Sequence, residues 1–350
     1  MMKKTVAIIF GGYSEEYDVS LQSASAIING VNQSEFDLVL IGITREGEWL
    51  KYDGSIEGIR QNTWWQDKAS CSPAILSPDR KHKGVLINQN GQLTVLRIDV
   101  AFPILHGKNG EDGTIQGLLE LAGIPYVGCS TISSALCMDK ELAHKLVKIA
   151  GIEVTPSLTL YQKPTKPALL KQIEPLNYPL FVKPVNAGSS FGITKVMAEN
   201  ELEQAVKFAF KYDNKVVIEQ GVEGFEVGCA VLGNDTLTIG QVDEIELVDG
   251  FFDYTEKYSL KTAKIHMPAR ITNELATEIK ETAEQIYRAL GCTGFARVDM
   301  FLTPEKKIVF NEVNTIPGFS EFSRYPNMLK GIGMSFEDIV KQLLELALQA

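Results

Sequence analysis

The chain has 350 residues, enough for two or three domains with full cores. Its 45% hydrophobic and 22% charged content is that of an ordinary globular protein and excludes a disordered or fibrous one. Asp and Glu outnumber Lys and Arg by 44 to 34, a formal charge of -10, so a nucleic-acid partner, which would require a basic surface, is not expected.

The N-terminal Lys3-Lys4 followed by an apolar run at 5–10 faintly mimics a signal peptide. The run is short and meets Gly11-Gly12, so it reads as a first strand. Further apolar runs at 38–41 and 100–103, with an amphipathic segment at 20–31 between, predict a parallel α/β sheet up to about residue 127. Gly11-Gly12 lacks the full G-x-G-x-x-G pattern of a dinucleotide fold. A second unit begins near Tyr126, with a helix predicted over 133–150, a loop around a short helix at 162–179, and strands ending at Lys183 and covering 215–219. Strands at 226–232, 294–301 and 308–313 and helices at 273–290 and 335–348 make up the remainder. Residues 248–264 mix aromatics and charges without a period, the pattern of a mobile functional loop. The five cysteines, Cys71, Cys129, Cys137, Cys229 and Cys292, contain no C-x-x-C pair and read as core residues of a reducing compartment. No stretch approaches the roughly eighteen apolar residues of a membrane span, so a cytoplasmic enzyme without a membrane partner is expected.

Two stretches carry the chemistry. A strand ending in Lys183-Pro184 opens onto Gly188-Ser189-Ser190-Phe191-Gly192, which lets an ammonium and backbone N–H groups approach phosphate oxygens without obstruction. In Asn311-Glu312-Val313-Asn314, the spacing puts Glu312 and Asn314 on one face of a strand. With Asp299 they form a hard-oxygen set suited to Mg²⁺ on a triphosphate.

Gly11 to Glu16, His106-Gly107 with Gly110 to Gly113, Met138-Asp139-Lys140, the 183–192 loop, Phe252-Asp253-Tyr254 with Lys257-Tyr258, Arg297-Val298-Asp299 and 311–318 follow in order along the chain. Together they resemble the D-alanine:D-alanine ligases of the ATP-grasp superfamily. The resemblance implies three α/β domains: a Rossmann-like N-terminal domain (1–126), a central ATP-grasp domain (127–213) and a C-terminal ATP-grasp domain (214–350), with the mobile loop at 248–264. Nucleotide would bind between the last two.

By the same resemblance, Lys140 and Lys183 hold ATP phosphates, Lys257 reaches the γ-phosphate, and Glu219 and Glu226 hold the adenosine. Asp299, Glu312 and Asn314 would hold two Mg²⁺, with Mn²⁺ as a substitute. Glu16 would anchor the first D-alanine's ammonium and form a hydrogen-bonded triad with Ser189 and Tyr258, while Arg297 and the Gly318 N–H face the oxyanion. A homodimer through the N-terminal domain is implied too.

One segment departs from the common ligase. Ser323 precedes Arg324 where leucine is usual, and Phe252 stands where many members have tyrosine. The pairing resembles the vancomycin-resistance ligases that make D-alanine:D-serine, since a guanidinium offers donors to a hydroxyl. The expected substrates are D-alanine and D-serine, with a housekeeping D-alanine:D-alanine ligase as the first alternative and a non-catalytic ATP-binding regulator as the second. Tyr258 disfavours a D-lactate acceptor, because lactate-forming ligases typically carry histidine there. Arg324 turned to solvent is the bland alternative for that residue. Others stay open: His106 as a structural or an active-site histidine, Glu111 and Asp112 as caps of a helix near Thr114, with capping preferred for Asp112, and Trp64-Trp65 as packing or interface residues.

Overall fold

The computed structural model describes residues 3–89, 91–188, 191–247 and 263–349. Strands β1 (Lys4–Gly11), β2 (Phe36–Ile43), β3 (Trp49–Tyr52), β4 (Cys71–Leu76), β5 (Gly84–Gln89), β6 (Gln92–Arg97) and β7 (Val100–Pro103) form one sheet in the order β6-β5-β4-β3-β2-β1-β7. Val6, Ile8 and Phe10 of β1 enter one apolar cluster and Ala7 and Ile9 another, because successive side chains point to opposite faces of a strand buried on both. The sheet is parallel only where β1 meets β2 and β7. From β2 through β6 the pairing is antiparallel, which corrects the expectation of a parallel sheet throughout. Parallel neighbours need a crossover of about a dozen or more residues, usually a helix, whereas here β3, β5 and β6 follow short connections and the β3–β4 connection holds only the five-residue helix Ile56–Arg60 and a short 3-10 turn.

Strand β8 (Glu153–Val154) precedes a second sheet of β9 (Ser157–Leu160), β10 (Leu180–Pro184), β11 (Thr194–Val196) and β12 (Val216–Gln220), ordered β11-β10-β12-β9 and antiparallel. The third sheet contains β13 (Phe225–Gly233), β14 (Leu237–Ile239), β15 (Asp243–Leu247), β16 (Ala263–His266), β17 (Phe295–Leu302) and β18 (Ile308–Asn314), with β8 beside β18 and β14 beside β13. A division after residue 213 would therefore separate β12 from the strands to which it is hydrogen-bonded. The segment from Cys129 to Ile152 also packs with the third sheet, in one cluster with Val227, Val298 and Phe310. Hydrogen bonding and burial thus group 157–220 as the middle unit.

The helix expected over 133–150 is two helices, Thr131–Met138 and Lys140–Ile149. Asp139 breaks them: it ends the first with extended backbone, and its Oδ1 accepts the Leu142 N–H at 3.0 Å to start the second. All five cysteines are free, four of them buried. Among the described residues no helix is long and apolar enough to cross a membrane.

An aromatic junction links the first and third sheets. Phe102 of β7 lies edge-on to Phe295 (6.3 Å between centroids) and Phe319 (6.2 Å), and Phe295 meets Tyr325 at 5.5 Å. These rings share one core with the helices Tyr17–Gly30 and Phe336–Gln349. Trp64 is fully buried in that core, its indole N–H donating to the Tyr17 hydroxyl at 3.0 Å, while Trp65 stays 39% exposed. Its ring occupies the space above Gly42, where an added Cβ would lie 2.3 Å from it. Trp64→Ala should therefore cost about 3–5 kcal/mol and Gly42→Ala about 1–3 kcal/mol, both measured by urea unfolding. Near-neutral values for both would show that the ring is not tightly enclosed.

Candidate active site

Register assembles the charged centre. On β13 the cross-strand partners of Gly228 are Asp243 of β15 and Asp299 of β17, and Asp299 in turn faces Glu312 of β18. Two residues along, Ala230 faces Arg297, which faces Asn314. The strand period of two places these rows on one sheet face. Gly228 leaves the gap into which Arg324 descends: a Cβ there would lie 2.2 Å from the Arg324 Nη2.

Arg324 is only 8% exposed, which disposes of the solvent-facing alternative. Its Nε and Nη2 donate to the two Asp243 oxygens at 2.7 and 2.8 Å, and its Nη1 donates to Glu226 at 2.9 Å and approaches Asp299 at 3.3 Å. Arg297 donates to Asp299 through Nε (2.9 Å) and Nη2 (2.7 Å), and the Asn314 amide donates to Asp299 at 2.9 Å. Glu226, expected beside the adenosine, and Arg324, expected beside the acceptor, are thus in direct contact.

The middle sheet supplies the second group. Phe181 faces Glu219 across β10 and β12, so Lys183, two residues along, reaches Glu219 diagonally, Nζ to Oε2 at 2.6 Å. Burial opposes ionisation of Glu219, but Lys183, His144 and Lys140 outweigh it and hold the carboxyl below its usual range. Lys140 donates to the Ala187 carbonyl at 2.7 Å, at the mouth of the loop after β10. His144 lies edge-on to Phe310 and shares a hydrogen bond with the Asn311 carbonyl at 3.0 Å, tying the helix Lys140–Ile149 to β18.

The third group comes from the loops at the edge of the N-terminal sheet, after β1 and after β7. The Glu16 carboxylate fits between two glycines: a Cβ at Gly107 would lie 2.4 Å from its Oε2, and one at Gly188 would lie 3.0 Å away. Glu111 is not a helix cap. Its Oε2 accepts the Gly107 N–H at 2.8 Å and its Oε1 accepts the Ile316 N–H at 3.0 Å, across 205 positions of sequence. Asp112 accepts the Thr114 N–H at 3.0 Å from one residue outside the helix Thr114–Ala122, whose N-cap is Gly113 and carries no side-chain cap bond, so Asp112 is not the helix cap either. His106 is buried and contacts the Ile316 carbonyl through Nδ1 at 2.8 Å, and burial lowers its pKa despite the opposing charge of Glu16.

Gly318 and Ser323 are close together, the serine Oγ 3.1 Å from where a Gly318 Cβ would stand. That hydroxyl accepts the Ser320 N–H at 2.9 Å. Ser189, Phe252, Lys257 and Tyr258 lie outside the described residues. Sequence reasoning missed Asp243, Gly228 and Ser23 and undervalued Glu111. Gly228 was detectable, since a glycine inside a strand signals close approach by another group.

Models of the D-ala D-ala ligase N-terminus and the D-ala D-ala ligase C-terminus match residues 5–129 and 146–345. The chain belongs to the D-alanine–D-alanine ligase family. The ligase superposes on a solved structure of the VanG D-Ala:D-Ser ligase from Enterococcus faecalis with a TM-score of 0.92 and 57% identity, covering 99% of this chain and 100% of that one. Vancomycin B-type resistance protein VanB of Enterococcus faecalis is 49% identical, covering 100% of both chains. A D-alanine–D-alanine ligase of Caldicellulosiruptor bescii is 42% identical over 100% of this chain and 96% of that one. The protein is accordingly an ATP-grasp enzyme that forms carbon–nitrogen bonds at the expense of ATP.

Ligases of this family generally need Mg²⁺. The donor set fits. Asp299 and Glu312 sit opposite each other with Asn314 beside them, all oxygen ligands, and Mg²⁺ takes few protein ligands and completes its octahedron with phosphate and water. Among the described residues no group of three His, Cys, Asp or Glu side chains is arranged to hold a metal ion.

Burial, and then the charge of Glu16, push the Glu111 carboxyl up to about 8 from an ordinary 4.5. A folded-state pKa above the unfolded one contributes stability that is fully present below 4.5 and is lost as the pH rises through 8. The wild type should therefore lose urea resistance relative to Glu111→Gln between about pH 5 and about pH 8.5. Parallel curves for the two proteins would show that Glu111 does not titrate in this window.

Proposed function

We propose that this ligase joins D-alanine to D-serine, making a peptidoglycan-precursor dipeptide of the vancomycin-resistant type, in the cytoplasm and as a homodimer. The observation that supports the acceptor choice is the buried guanidinium of Arg324. Asp243, Glu226 and Asp299 hold it, and it follows directly on Ser323, beside Gly318. Of the five guanidinium donors, two are spent on Asp243 and one on Glu226, and Nη1 also approaches Asp299, so in this reading the second N–H of Nη2 is the one offered to a substrate hydroxyl. D-serine has that hydroxyl and D-alanine does not. The likeness to the VanG D-Ala:D-Ser ligase, at 57% identity, supports the same choice.

In this reading Glu16 fixes the ammonium of the first D-alanine, whose carboxylate attacks the γ-phosphorus of ATP to give D-alanyl phosphate and ADP. Lys140 and Lys183 bind the phosphates, with Lys257, while Glu219 and Glu226 bind the adenosine. Two Mg²⁺ held by Asp299, Glu312 and Asn314 would screen the phosphate charge. The amine of D-serine then attacks the acyl carbon, and the C–O bond to phosphate breaks. Arg297 and the Gly318 N–H stabilise the tetrahedral oxyanion, the place where fixed donors matter most. Ser189 and Tyr258 complete the triad with Glu16 and exclude water from the acyl phosphate. Ser323, Arg324 and Phe252 line the acceptor position.

A D-alanine:D-alanine ligase is the second reading, favoured by the relative from Caldicellulosiruptor bescii. Phosphate release with ATP, Mg²⁺ and D-alanine, alone and with D-serine or D-lactate, separates the two when the products are weighed by mass spectrometry. Predominant D-alanyl-D-serine from an equal mixture is expected; predominant D-alanyl-D-alanine would overturn the acceptor assignment.

Arg324→Leu alone would leave Asp243 buried without its partner, costing about 3–5 kcal/mol in stability. The paired variant Arg324→Leu with Asp243→Asn removes the charge imbalance. It should lower the D-serine to D-alanine product ratio by roughly tenfold or more while ATP still turns over. An unchanged ratio would make Arg324 a purely structural residue.

A further inference from the structure

The segment that presents the Gly318 N–H belongs to the C-terminal half of the chain, yet its backbone is tied down from the N-terminal unit. Ile316 is held at both ends of its peptide unit: Glu111 accepts its N–H at 3.0 Å, and its carbonyl meets the His106 Nδ1 at 2.8 Å. A carbonyl only accepts, so Nδ1 carries the ring proton and Nε2 presents a lone pair. That lone pair faces the Ser23 hydroxyl at 3.1 Å, which fixes Ser23 as the donor. The same Ser23 Oγ accepts the Phe319 N–H at 3.1 Å, across 296 positions of sequence. Ser23, His106, Ile316 and Phe319 are each at most 4% exposed, so these bonds face little competition from water. Among the described residues the Gly318 N–H, which lies between the two fixed points, has no acceptor.

We infer that Ser23, His106 and Glu111 are positioning residues for the ligase reaction: from the helix Tyr17–Gly30 and the loop after β7 they clamp residues 316–319 and so aim the Gly318 N–H at the oxyanion. None of the three touches a reacting atom. Their effect is on the placement of a backbone donor, and an oxyanion donor works only within about 2.7–3.1 Å of the developing charge. A displacement of roughly 1 Å at such a site reduces rate by on the order of a hundredfold. The clamp also makes the reacting centre depend on correct seating of the N-terminal sheet against the third sheet. The inference rests on the assignment of the Gly318 N–H to the oxyanion.

The test compares His106→Leu, His106→Asn and Ser23→Ala with the wild type, with folding checked by circular dichroism and thermal unfolding. Asparagine keeps an N–H donor near the Nδ1 position, whereas leucine removes it. His106→Leu is expected to lower kcat by roughly 10–100-fold while KM for ATP and for the first D-alanine stays within about threefold. Affinity for a dipeptide phosphinate, which places a tetrahedral phosphorus at the acyl carbon, should fall in proportion to kcat/KM. His106→Asn should recover most of the loss, and Ser23→Ala should show the same pattern at smaller size. Ser23→Ala removes one oxygen only, so it keeps the test decisive should the leucine variant fail to fold.

An unchanged kcat, a loss confined to KM, or a phosphinate affinity that stays at the wild-type level would overturn the clamp. Equal defects in the leucine and asparagine variants would overturn the assigned His106 bond. Failure of the underlying reading looks different: the wild type itself would then release no phosphate from ATP with D-alanine and D-serine present.

Discussion

Three carboxylates converge on one guanidinium in this ligase. Asp243, Glu226 and Asp299 are brought to the same face of the third sheet by strand register, and their mutual repulsion in a largely buried setting would be severe without compensation. Arg324 supplies it from above, through the gap that Gly228 leaves, and Arg297 supplies it from within the sheet. The glycine, the two arginines and the pairing of β13 with β15 and β17 are therefore one constraint. Loss of any member leaves buried charge uncompensated. The proposed metal ligands stand on the same row, since Asp299 contacts both guanidinia and lies opposite Glu312 in the strand register.

The second constraint is geometric. Lys183 and Glu219 belong to the middle sheet, Asp299 and Asn314 to the third, and Glu16 and Glu111 to the N-terminal unit, so no single sheet carries the chemistry. Shared side-chain packing couples them. The Phe102, Phe295, Phe319 and Tyr325 rings join the first and third sheets through edge-to-face contacts, and Phe319 is next to Gly318. The His144 bond to Asn311 ties β18 to the helix that begins with Lys140. In the proposed reaction, junctions of this kind would set the spacing between the nucleotide site on one unit and the acyl centre on another, which is what proximity catalysis requires.

Local rules made part of this visible in the sequence. Period-two alternation correctly placed Glu312 and Asn314 on one face. The strands and the two long C-terminal helices were legible within a residue or two because their apolar periodicity is strong. Relations set by topology were not legible. Asp243 and Arg324 are 81 positions apart, and nothing local to either reveals that β15 and the helix Arg324–Lys330 meet over Gly228. Glu111 and Asp112 resembled caps because they stand near a helix start, and the bond of Glu111 to Ile316 is visible only in the fold. The strand grouping around the expected division at 213 was hidden for the same reason: hydrogen bonding joins β12 to β10 and β9 across long intervals of sequence.

A further consequence concerns how acceptor choice can change in such a fold. A leucine at position 324 would suit a methyl-bearing acceptor, but it would also abandon Asp243, which is fully buried and carries no compensating charge other than this arginine's in the contacts that hold it. Contacting residues of this sort couple strongly, so their effects do not add. A sequence that favours an apolar acceptor must alter positions 324 and 243 together, or pass through an intermediate weakened by an unpaired buried carboxylate. If Arg324 has the proposed acceptor role, selectivity at that position and stability of the third sheet are not independent properties. On the proposed acceptor role, the guanidinium offered to the substrate hydroxyl is the same one that neutralises Asp243, Glu226 and Asp299.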